Sequence, residues 1–229
     1  MTRLAIIPAR GGSKGIPRKN LADVAGRPLI AHTIQAGLAA ASISRVVVST
    51  DDAEIAEAAR QSGAEVLMRP AEFASDAAPM LPVLQHAVAE IGGEFPAIVL
   101  LQPTSPLRTA RHIDEAVALL DDGCDSVAAV CEMEHSPYKC CLQKDGLLVP
   151  FVPGADLGAA RQLLPTVYRE NGAIYAIHRA VIEAGHSLRG DRIRPYFMTA
   201  EESVDVDSPF DLALVSLLME PRASTPTTP

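Results

Sequence analysis

A run of basic residues follows the first apolar segment of the chain, in the sequence IIPARGGSKGIPRKN at positions 6–20. This stretch contains no acidic residue, although the chain of 229 residues has a formal net charge of −8. Gly11 and Gly12 allow the backbone to bend sharply and to approach a ligand closely, and N–H groups in such a bend bind anions. The added charge comes from four side chains: Arg10, Lys14, Arg18 and Lys19. The pattern predicts a phosphate site, and the alternative is a solvated basic loop.

This loop matches neither of two common phosphate-binding motifs. A Walker A loop places lysine directly after its last glycine, whereas Ile16 follows Gly15 here. The dinucleotide fingerprint requires three regularly spaced glycines that open a helix, and Pro17 interrupts that pattern. The loop is therefore a phosphate holder of another kind.

A second candidate for chemistry is the sequence SVDVD at positions 203–207. In an extended segment Asp205 and Asp207 point to one side, and Val204 and Val206 point to the other, toward a core. Two adjacent carboxylates repel each other unless a cation lies between them, and Mg²⁺ favours one or two carboxylates together with phosphate oxygens. The segment predicts a Mg²⁺ site; the alternatives are a solvated edge strand or caps for the next helix.

Two further segments combine polar groups with turn signals. Gln102 ends an apolar strand, and its amide offers a donor and an acceptor that suit the edge of a cytosine. The alternative there is an ordinary turn in which Thr104 or Ser105 caps a helix. Asn171-Gly172 lies between strand-like segments, which is also the signature of a hairpin turn.

Strands and helices alternate along the chain. Apolar patterns predict strands at 4–8, 45–50, 65–68, 97–102, 125–130 and 173–178, and helices at 28–41, 51–61, 79–91, 109–122 and 209–219. This order predicts an α/β, Rossmann-like three-layer domain with a mainly parallel sheet. Ligands of such folds bind at the carboxyl ends of the strands, so the site is expected in the loops at 8–20, 49–52, 69–76, 102–108 and 203–211.

One domain is expected over residues 1–222, followed by a disordered tail at 223–229. Residues 132–170 break the alternation, and a structureless loop of that length is improbable in a compact domain. We interpret 132–170 as an inserted β-arm that serves dimerisation and sugar binding. The cysteines and one nearby histidine lack the paired spacing of zinc sites, which favours free thiols: Cys124, Cys131, Cys140, Cys141 and His135.

The composition argues against several classes of partner. The acidic balance disfavours a nucleic-acid or membrane surface. No apolar segment approaches the ~20 residues of a membrane span. The chain enters a strand-like segment directly after Met-Thr-Arg, which leaves no room for a signal peptide, so a cytoplasmic location is expected.

Several segments together resemble the acylneuraminate (sialic acid) cytidylyltransferases. They are the opening loop and, in order, VVVSTDD (46–52), RPAEFASD (69–76), LLQPTSPLR (100–108), YRENGAIYA (168–176) and SVDVDSPFDL (203–212). The resemblance implies an enzyme that couples CTP to a nonulosonic acid, a nine-carbon sugar acid, and releases pyrophosphate with the help of Mg²⁺. It also implies a homodimer.

The resemblance assigns roles to individual positions. It implies that Arg10, Lys19 and Asp207 are catalytic and that Asp205 and Asp207 bind the metal, with Asp207 also a candidate base. Gln102 is implicated in base recognition, Arg108 in contact with the sugar carboxylate, and Tyr175 in the sugar pocket. The remaining substrate-binding candidates are Gly11, Gly12, Ser13, Asn20, Arg69, Asp76, Lys139, Arg161, Arg169 and Asn171. Lys139 and Arg161 belong to the arm, which could donate them across a dimer interface.

Two alternatives to this function remain open. One is a related enzyme that acts on pseudaminate or on an eight-carbon sugar acid, although YRENGAIY is more similar to the sialate and legionaminate branch. The other is a non-catalytic module that binds sugar nucleotides, against which the presence of Lys19, Asp205 and Asp207 argues.

Overall fold

The computed structural model describes residues 3–13, 15–75, 78–121, 123–185 and 187–220. The predicted roles of Lys14 and Asp76, the predicted helix end at Asp122 and the predicted tail at 223–229 fall outside these residues. The strands are β1 (Leu4–Pro8), β2 (Asp23–Val24), β3 (Arg27–Pro28), β4 (Arg45–Thr50), β5 (Glu65–Met68), β6 (Ala97–Leu100), β7 (Ser126–Glu132), β8 (Cys141–Lys144), β9 (Leu147–Pro150), β10 (Tyr168–His178) and β11 (Ile193–Phe197). The helices are α1 (Leu29–Ala39), α2 (Ala53–Gln61), α3 (Met80–Ile91), α4 (Ala110–Ala118), α5 (Arg179–Ala184) and α6 (Pro209–Met219).

A seven-stranded sheet forms the centre, in the order β11-β7-β10-β6-β1-β4-β5. Its pairs are parallel except for β10, which runs antiparallel to both β6 and β7. The predicted α/β fold with a mainly parallel sheet is therefore confirmed. The residues of β1, β4 and β6 are fully or largely buried. Because these three strands are parallel neighbours, their carboxyl ends meet along one edge, where the candidate loops begin.

Alternation along the strands builds a core on each face of the sheet. In β1, Leu4 and Ile6 pack toward α3 and α5, whereas Ala5 and Ile7 pack toward α1, α2 and α4. This is the two-residue period of a strand that is buried on both sides. The two helical layers thus hold the sheet rigid from both faces.

A third, smaller apolar cluster lies beyond the carboxyl ends of the strands. It joins Ile16 of the basic loop, Val206 of the aspartate segment, and Val215 of α6, together with Val24 and Leu29. Val206 is completely buried, as the alternation in SVDVD predicts. Burial of these side chains brings two segments that are far apart in sequence to one place.

The structure corrects several sequence expectations. The segment Asn171-Gly172 does not form a hairpin turn: β10 begins at Tyr168 and passes through both residues with a register shift between Glu170 and Tyr175. Gly172 has φ 76°, so the turn signal reports a bulge instead. The predicted helix that begins at Thr109 ends at Ala118, and β2, β3, β11 and α5 were not predicted.

Residues 132–170 contain the hairpin of β8 and β9, which forms a separate two-stranded sheet. Its residues are mostly exposed, including Leu142, Leu147 and Leu148. The four cysteines are free; Cys124 and Cys131 are buried, and Cys140 and Cys141 are exposed. None of the described helices is both long enough and apolar enough to cross a membrane.

Candidate active site

A cavity of about 250 Å³ opens at the carboxyl ends of β1 and β6. Its lining brings together residues of the basic loop, the end of β6 and the aspartate segment: Pro8, Arg10, Gly12, Ser13, Lys19, Asn20, Met80, Gln102, Pro103, Thr104, Asp205 and Asp207. Eight of these are residues that the sequence singles out: Arg10, Gly12, Ser13, Lys19, Asn20, Gln102, Asp205 and Asp207. We call this cavity the central cleft.

Internal hydrogen bonds hold the basic loop in a defined shape. The N–H of Gly11 donates to Asp51 Oδ1 at 3.1 Å, and Asn20 Nδ2 donates to the carbonyl oxygen of Arg10 at 3.0 Å. Arg18 adopts a left-handed conformation with φ 54°, and its guanidinium lies 3.2 Å from Asp52 and 3.0 Å from Glu54. Arg18 is therefore tied to α2, whereas Lys19 turns into the cleft.

The aspartate segment begins at the end of a short helical turn, Glu201–Ser203. The N–H of Val206 donates to the carbonyl oxygen of Thr104 at 2.8 Å, which fixes the segment against the loop after β6. Ser208 caps α6, and Asp211 Oδ2 accepts from the N–H of Asp207 at 3.1 Å. The capping interaction thus orients the backbone that carries Asp207.

The basic loop and the aspartate segment meet directly. Lys19 Nζ donates to Asp207 Oδ1 at 2.7 Å. A Cβ atom on Gly15 would lie 2.2 Å from the carbonyl oxygen of Asp207, so only glycine fits at this approach of two backbones. Lys19 also contributes a positive field at Asp205 and Asp211. One ammonium group therefore lies among three carboxylates.

The two aspartates differ in environment. Burial raises the pKa of Asp205, and repulsion from Asp207 adds to the rise, while a hydrogen bond from Thr104 opposes it. Oδ1 of Asp205 is buried and has no hydrogen-bond partner. Asp207, in contrast, has a side chain that is 72% exposed. A buried carboxylate oxygen without a donor is an unusual feature, and it suits coordination of a cation from the cleft.

The described residues contain no group of three or more His, Cys, Asp or Glu side chains arranged to hold a metal by themselves. Asp205 and Asp207 could supply two of the ligands of Mg²⁺, which commonly takes its remaining ligands from substrate phosphates and water. The pair therefore fits Mg²⁺ as a cation that binds together with a nucleotide rather than alone.

The bulge in β10 places Gln102 at the cleft. At the bulge, a Cβ atom on Gly172 would lie 2.3 Å from Gln102 Oε1, so the glycine leaves the space that this amide occupies. Asn171 is buried, and its Nδ2 donates to Ser203 Oγ at 2.8 Å. Arg169 Nη2 donates to the carbonyl oxygen of Ser203 at 3.3 Å. Both residues thereby hold the turn that precedes Asp205.

Arg108 is placed behind the cleft rather than in its lining. Its side chain is buried and donates to the carbonyl oxygens of Gln102 at 3.2 Å and Ala173 at 2.7 Å. Burial lowers the pKa of Arg108 to about 9. In this arrangement Arg108 supports the backbone of Gln102, and the expected contact with a sugar carboxylate stays a prediction.

A second cavity of about 240 Å³ adjoins the central cleft and shares Pro8, Arg10 and Met80 with it. Arg69 lines this cavity and is buried, and its Nη2 lies 3.7 Å from Asp51 Oδ1. Burial lowers the pKa of Arg69, Asp51 opposes that effect, and the positive charge of Arg10 adds to it. Two cationic side chains therefore converge on one cavity.

A third cavity of about 690 Å³ borders the cleft at Asp205 and is also lined by Arg169, by His135, and by Leu214 and Leu218 of α6. Next to it, a cavity of about 460 Å³ is lined by Arg161, Tyr168 and Phe197 among others. These two cavities share residues 132–134 and Ala200. Together with the central cleft they form a continuous series of depressions that ends at the arm.

Three predicted substrate residues point elsewhere in this chain. Lys139 Nζ donates to the carbonyl oxygen of Leu157, at 3.3 Å, and Arg161 Nη2 donates to that of Glu134, at 2.6 Å. Tyr175 packs in the core beside α3, and its hydroxyl donates to Glu170 Oε2 at 3.2 Å. None of the three lines the central cleft.

The structure also reveals residues whose part in the site was not predicted from sequence. Asp52 caps α2, with Oδ1 accepting from the N–H groups of Glu54 and Ile55. Asp51 instead contacts Gly11 and Arg69. Only the strand order could have placed Asp51 between them.

Comparison with known proteins gives the family. The cytidylyltransferase family model matches residues 4–184. CMP-N,N'-diacetyllegionaminic acid synthase of Legionella pneumophila is 36% identical over 226 residues, which cover 96% of this chain and 97% of that protein. N-acylneuraminate cytidylyltransferase of Streptococcus agalactiae serotype V is 36% identical over 214 residues, which cover 91% of this chain and 51% of that protein. The chain thus spans nearly all of the first relative and about half of the second.

The fold agrees with this result. The solved structure of CMP:2-keto-3-deoxy-manno-octonic acid synthetase, which is complexed with CTP, superposes with a TM-score of 0.74 at 21% identity, over 96% of this chain and 98% of that one. The family model covers the opening loop, the end of β6 and most of the sheet, which confirms the resemblance seen in the sequence. The chain belongs to the cytidylyltransferase family.

Proposed function

We propose that this chain transfers CMP from CTP to the anomeric hydroxyl of a nonulosonic acid, an N-acylneuraminate or a legionaminate-like sugar, and releases pyrophosphate. Support comes from relatives whose names specify CMP-legionaminate synthesis and acylneuraminate cytidylyl transfer. The observation that carries the proposal is the contact of Lys19 with Asp207 in a cleft that also holds Arg10 and Asp205. A cationic loop and a carboxylate pair in one cleft are what a metal-bound triphosphate requires.

In this proposal the basic loop binds the triphosphate. The N–H of Gly12 and the hydroxyl of Ser13 donate to phosphate oxygens, while Arg10 and Lys19 neutralise charge. Asp205 and Asp207 would hold Mg²⁺, which when bound supplies further charge neutralisation on the phosphates. Because phosphoryl-type transfer needs little covalent help, positioning and charge account for most of the rate enhancement.

The sugar hydroxyl oxygen attacks the α-phosphorus in line, the bond from that phosphorus to the bridging oxygen breaks, and pyrophosphate leaves with the bonding electrons. The hydroxyl proton goes to a carboxylate, for which Asp207 is the exposed candidate. Lys19 is then free to stay with the phosphates that it neutralises. Asn20, which holds the carbonyl of Arg10, keeps the loop in the shape that binds them.

Recognition of the cytidine falls to the cavity beside the cleft. Arg69 lines it and Gln102 lies at the strand end next to it, so the ribose and the base are assigned to Arg69 and Gln102. The resemblance adds Asp76 to this assignment. An amide that donates and accepts can pair with the polar edge of cytosine. The sugar acid is assigned to the cavity on the other side of Asp205, where Arg169 offers a positive charge to its carboxylate.

We further propose a homodimer that is built through the β8–β9 hairpin. The hairpin exposes Leu142, Leu147 and Leu148, and nearby Phe151 and Leu163 are also exposed. Large apolar side chains exposed in one part of a chain are typical of protein–protein interfaces. Packing on a second copy would carry Lys139 and Arg161 toward a neighbouring sugar site. The free thiols suit a reducing compartment, and we therefore place the reaction in the cytoplasm.

The experiment is a pyrophosphate-release assay with CTP and a panel of sugar acids: N-acetylneuraminate, diacetyllegionaminate, pseudaminate and an eight-carbon 2-keto acid. The proposal predicts release with one of the first two, dependent on Mg²⁺ and lost in Asp205→Asn. Preference for pseudaminate or the eight-carbon acid would show that the chain is instead a related cytidylyltransferase that acts on that sugar acid. Tight CTP binding without pyrophosphate release from any sugar acid would favour a non-catalytic binding module.

A further inference from the structure

We propose that Asp51 is a positioning residue for the nucleotide, because its one carboxylate holds both the start of the basic loop and the buried guanidinium of Arg69. The inference rests on the proposed function and adds a residue to it. Asp51 lines neither the central cleft nor the adjoining cavity, so it acts through its two partners.

The strand order explains why Asp51 lies between them. β4 is the parallel neighbour of both β1 and β5, with Pro8 opposite Ser49 and Thr50 opposite Met68. The ladder continues past the strands, since the N–H of Ala9 donates to Ser49 at 2.9 Å and the N–H of Arg69 donates to Thr50 at 2.8 Å. The residue after β4 is therefore flanked by the segments that leave β1 and β5.

Both contacts use the same atom. Asp51 Oδ1 accepts from the N–H of Gly11 at 3.1 Å and lies 3.7 Å from Arg69 Nη2. The Arg69 side chain is only 4% exposed, whereas that of Asp51 is 27% exposed. Few solvent molecules can therefore replace the carboxylate as the partner of this guanidinium.

Electrostatics also favours a carboxylate beside Arg69. Burial disfavours the charged form of Arg69, and the charge of Arg10, which lines the same cavity, adds to that effect. Asp51, which does not line this cavity, offsets both effects. With Asp51 neutral, Arg69 would lose the contact that orients it.

Asp52, the neighbouring aspartate, has a different task. Its Oδ1 caps α2 and contacts Arg18, so the helix does not depend on Asp51. Replacement of Asp51 is thus expected to leave α2 and the sheet intact. A matched control is Glu65→Gln, because Glu65 is also an arginine-paired carboxylate on this sheet, bonded to Arg45 at the opposite end of β5.

The experiment measures Mg²⁺–CTP binding by calorimetry, without sugar, for the wild type, Asp51→Asn, Asp51→Ala and Glu65→Gln. Loss of the charge paired with Arg69, together with loss of the acceptor for the Gly11 N–H, predicts CTP binding about tenfold weaker in Asp51→Ala. Asp51→Asn keeps an acceptor for Gly11 and should recover part of the loss. Glu65→Gln should bind like the wild type, and the KM for the sugar acid should change less than twofold in all variants.

A double-mutant cycle shows whether Asp51 acts through Arg69. The effect of Asp51→Asn on CTP affinity should vanish when Arg69 is replaced by methionine, because the negative charge of Asp51 then has no arginine to orient. Wild-type CTP affinity in Asp51→Ala, or an undiminished effect of Asp51→Asn in the Arg69→Met background, would overturn the inference. Absence of CTP binding to the wild type would instead overturn the proposed function.

Discussion

Lys19 Nζ lies 2.7 Å from Asp207 Oδ1, although 188 positions separate the two residues in the sequence. This contact joins the first loop of the fold to the segment before its last helix. The Lys19–Asp207 ion pair would compete with binding of a metal-bound triphosphate. Phosphate would attract Lys19, and a divalent cation would attract Asp207.

Replacement of Lys19 by methionine should therefore have opposite effects on the two ligands. Without the ammonium group, Asp207 is available, and binding of Mn²⁺ in the absence of nucleotide should strengthen about tenfold. CTP binding should weaken, because one phosphate partner is lost. Electron paramagnetic resonance of free Mn²⁺ measures the first effect, and calorimetry measures the second. The control is Lys144→Met in the exposed hairpin; unchanged or weaker Mn²⁺ binding in Lys19→Met would contradict the interpretation.

Gly172→Ala should lower turnover by moving Gln102. The new Cβ would lie 2.3 Å from Gln102 Oε1, and displacement of a substrate-positioning group by ~1 Å can reduce the rate ~100-fold. Gly154→Ala is the matched control because both glycines have φ 76° and the Cβ at position 154 would meet nothing within 4 Å. Both variants carry the backbone strain of alanine at positive φ, so equal values of kcat/KM in the two would show that Gln102 had not moved.

His112 predicts how stability depends on pH. Its Nδ1 accepts from the N–H of Thr109, and its Nε2 lies 3.2 Å from Glu202, near Arg111 and Glu115. Burial lowers the pKa of His112 below its ordinary value of 6.5. Just below pH 6.5 the unfolded chain therefore binds more protons at this residue than the folded chain, and stability falls as the pH decreases.

The matched variant is His112→Gln, since glutamine at this position keeps the capping box with Thr109. Thermal unfolding from pH 7.5 to pH 5.5 should show a wild-type Tm that decreases by about 2 °C more than that of the variant. Parallel curves for the two proteins would show that His112 does not titrate in this range.

The exposed leucines of the hairpin predict the state of assembly. Cross-strand pairing places Leu142 and Val149 opposite each other, and Lys144 and Leu147 likewise, on one face of the hairpin. Charge at Leu142 and Leu147 should disrupt an interface that buries this face. Sedimentation velocity should find a dimer for the wild type and a monomer for the double variant Leu142→Lys, Leu147→Lys. The control is Leu38→Lys, at a surface leucine of α1, and it should remain a dimer. A wild-type monomer would contradict the proposed homodimer.

Local sequence was sufficient to predict those strands and helices whose own apolar residues form the buried face. β1, β4 and β5 follow apolar or β-branched segments and begin and end where predicted, and α2 begins after the aspartate that caps it. β11 was not predicted because it is an edge strand that contains Pro195 and alternates weakly. The Asn171-Gly172 signal was ambiguous because a bulge and a hairpin both require glycine at positive φ.

The candidate site divides in the same way. The Gly-rich loop and the aspartate pair carry their chemistry in their own residues, so the sequence singled out both segments, and the structure brings them together in the central cleft. Arg108 lies behind Gln102, a position that depends on β10 passing beside the loop, and its expected contact with the substrate stays a prediction. Asp51 contacts both Gly11 and Arg69 only because of the register of β1, β4 and β5, and no local sequence pattern predicts that register.

The central claim is that the basic loop and the aspartate pair form one site for a metal-bound triphosphate. Crystals grown with CTP and Mn²⁺ would test it through an anomalous difference map recorded near the manganese absorption edge. The account predicts one strong peak within coordination distance of Asp205 and Asp207, with the triphosphate density lying against Gly11, Gly12 and Lys19. A manganese peak away from both aspartates, or a triphosphate that does not contact the loop, would contradict it.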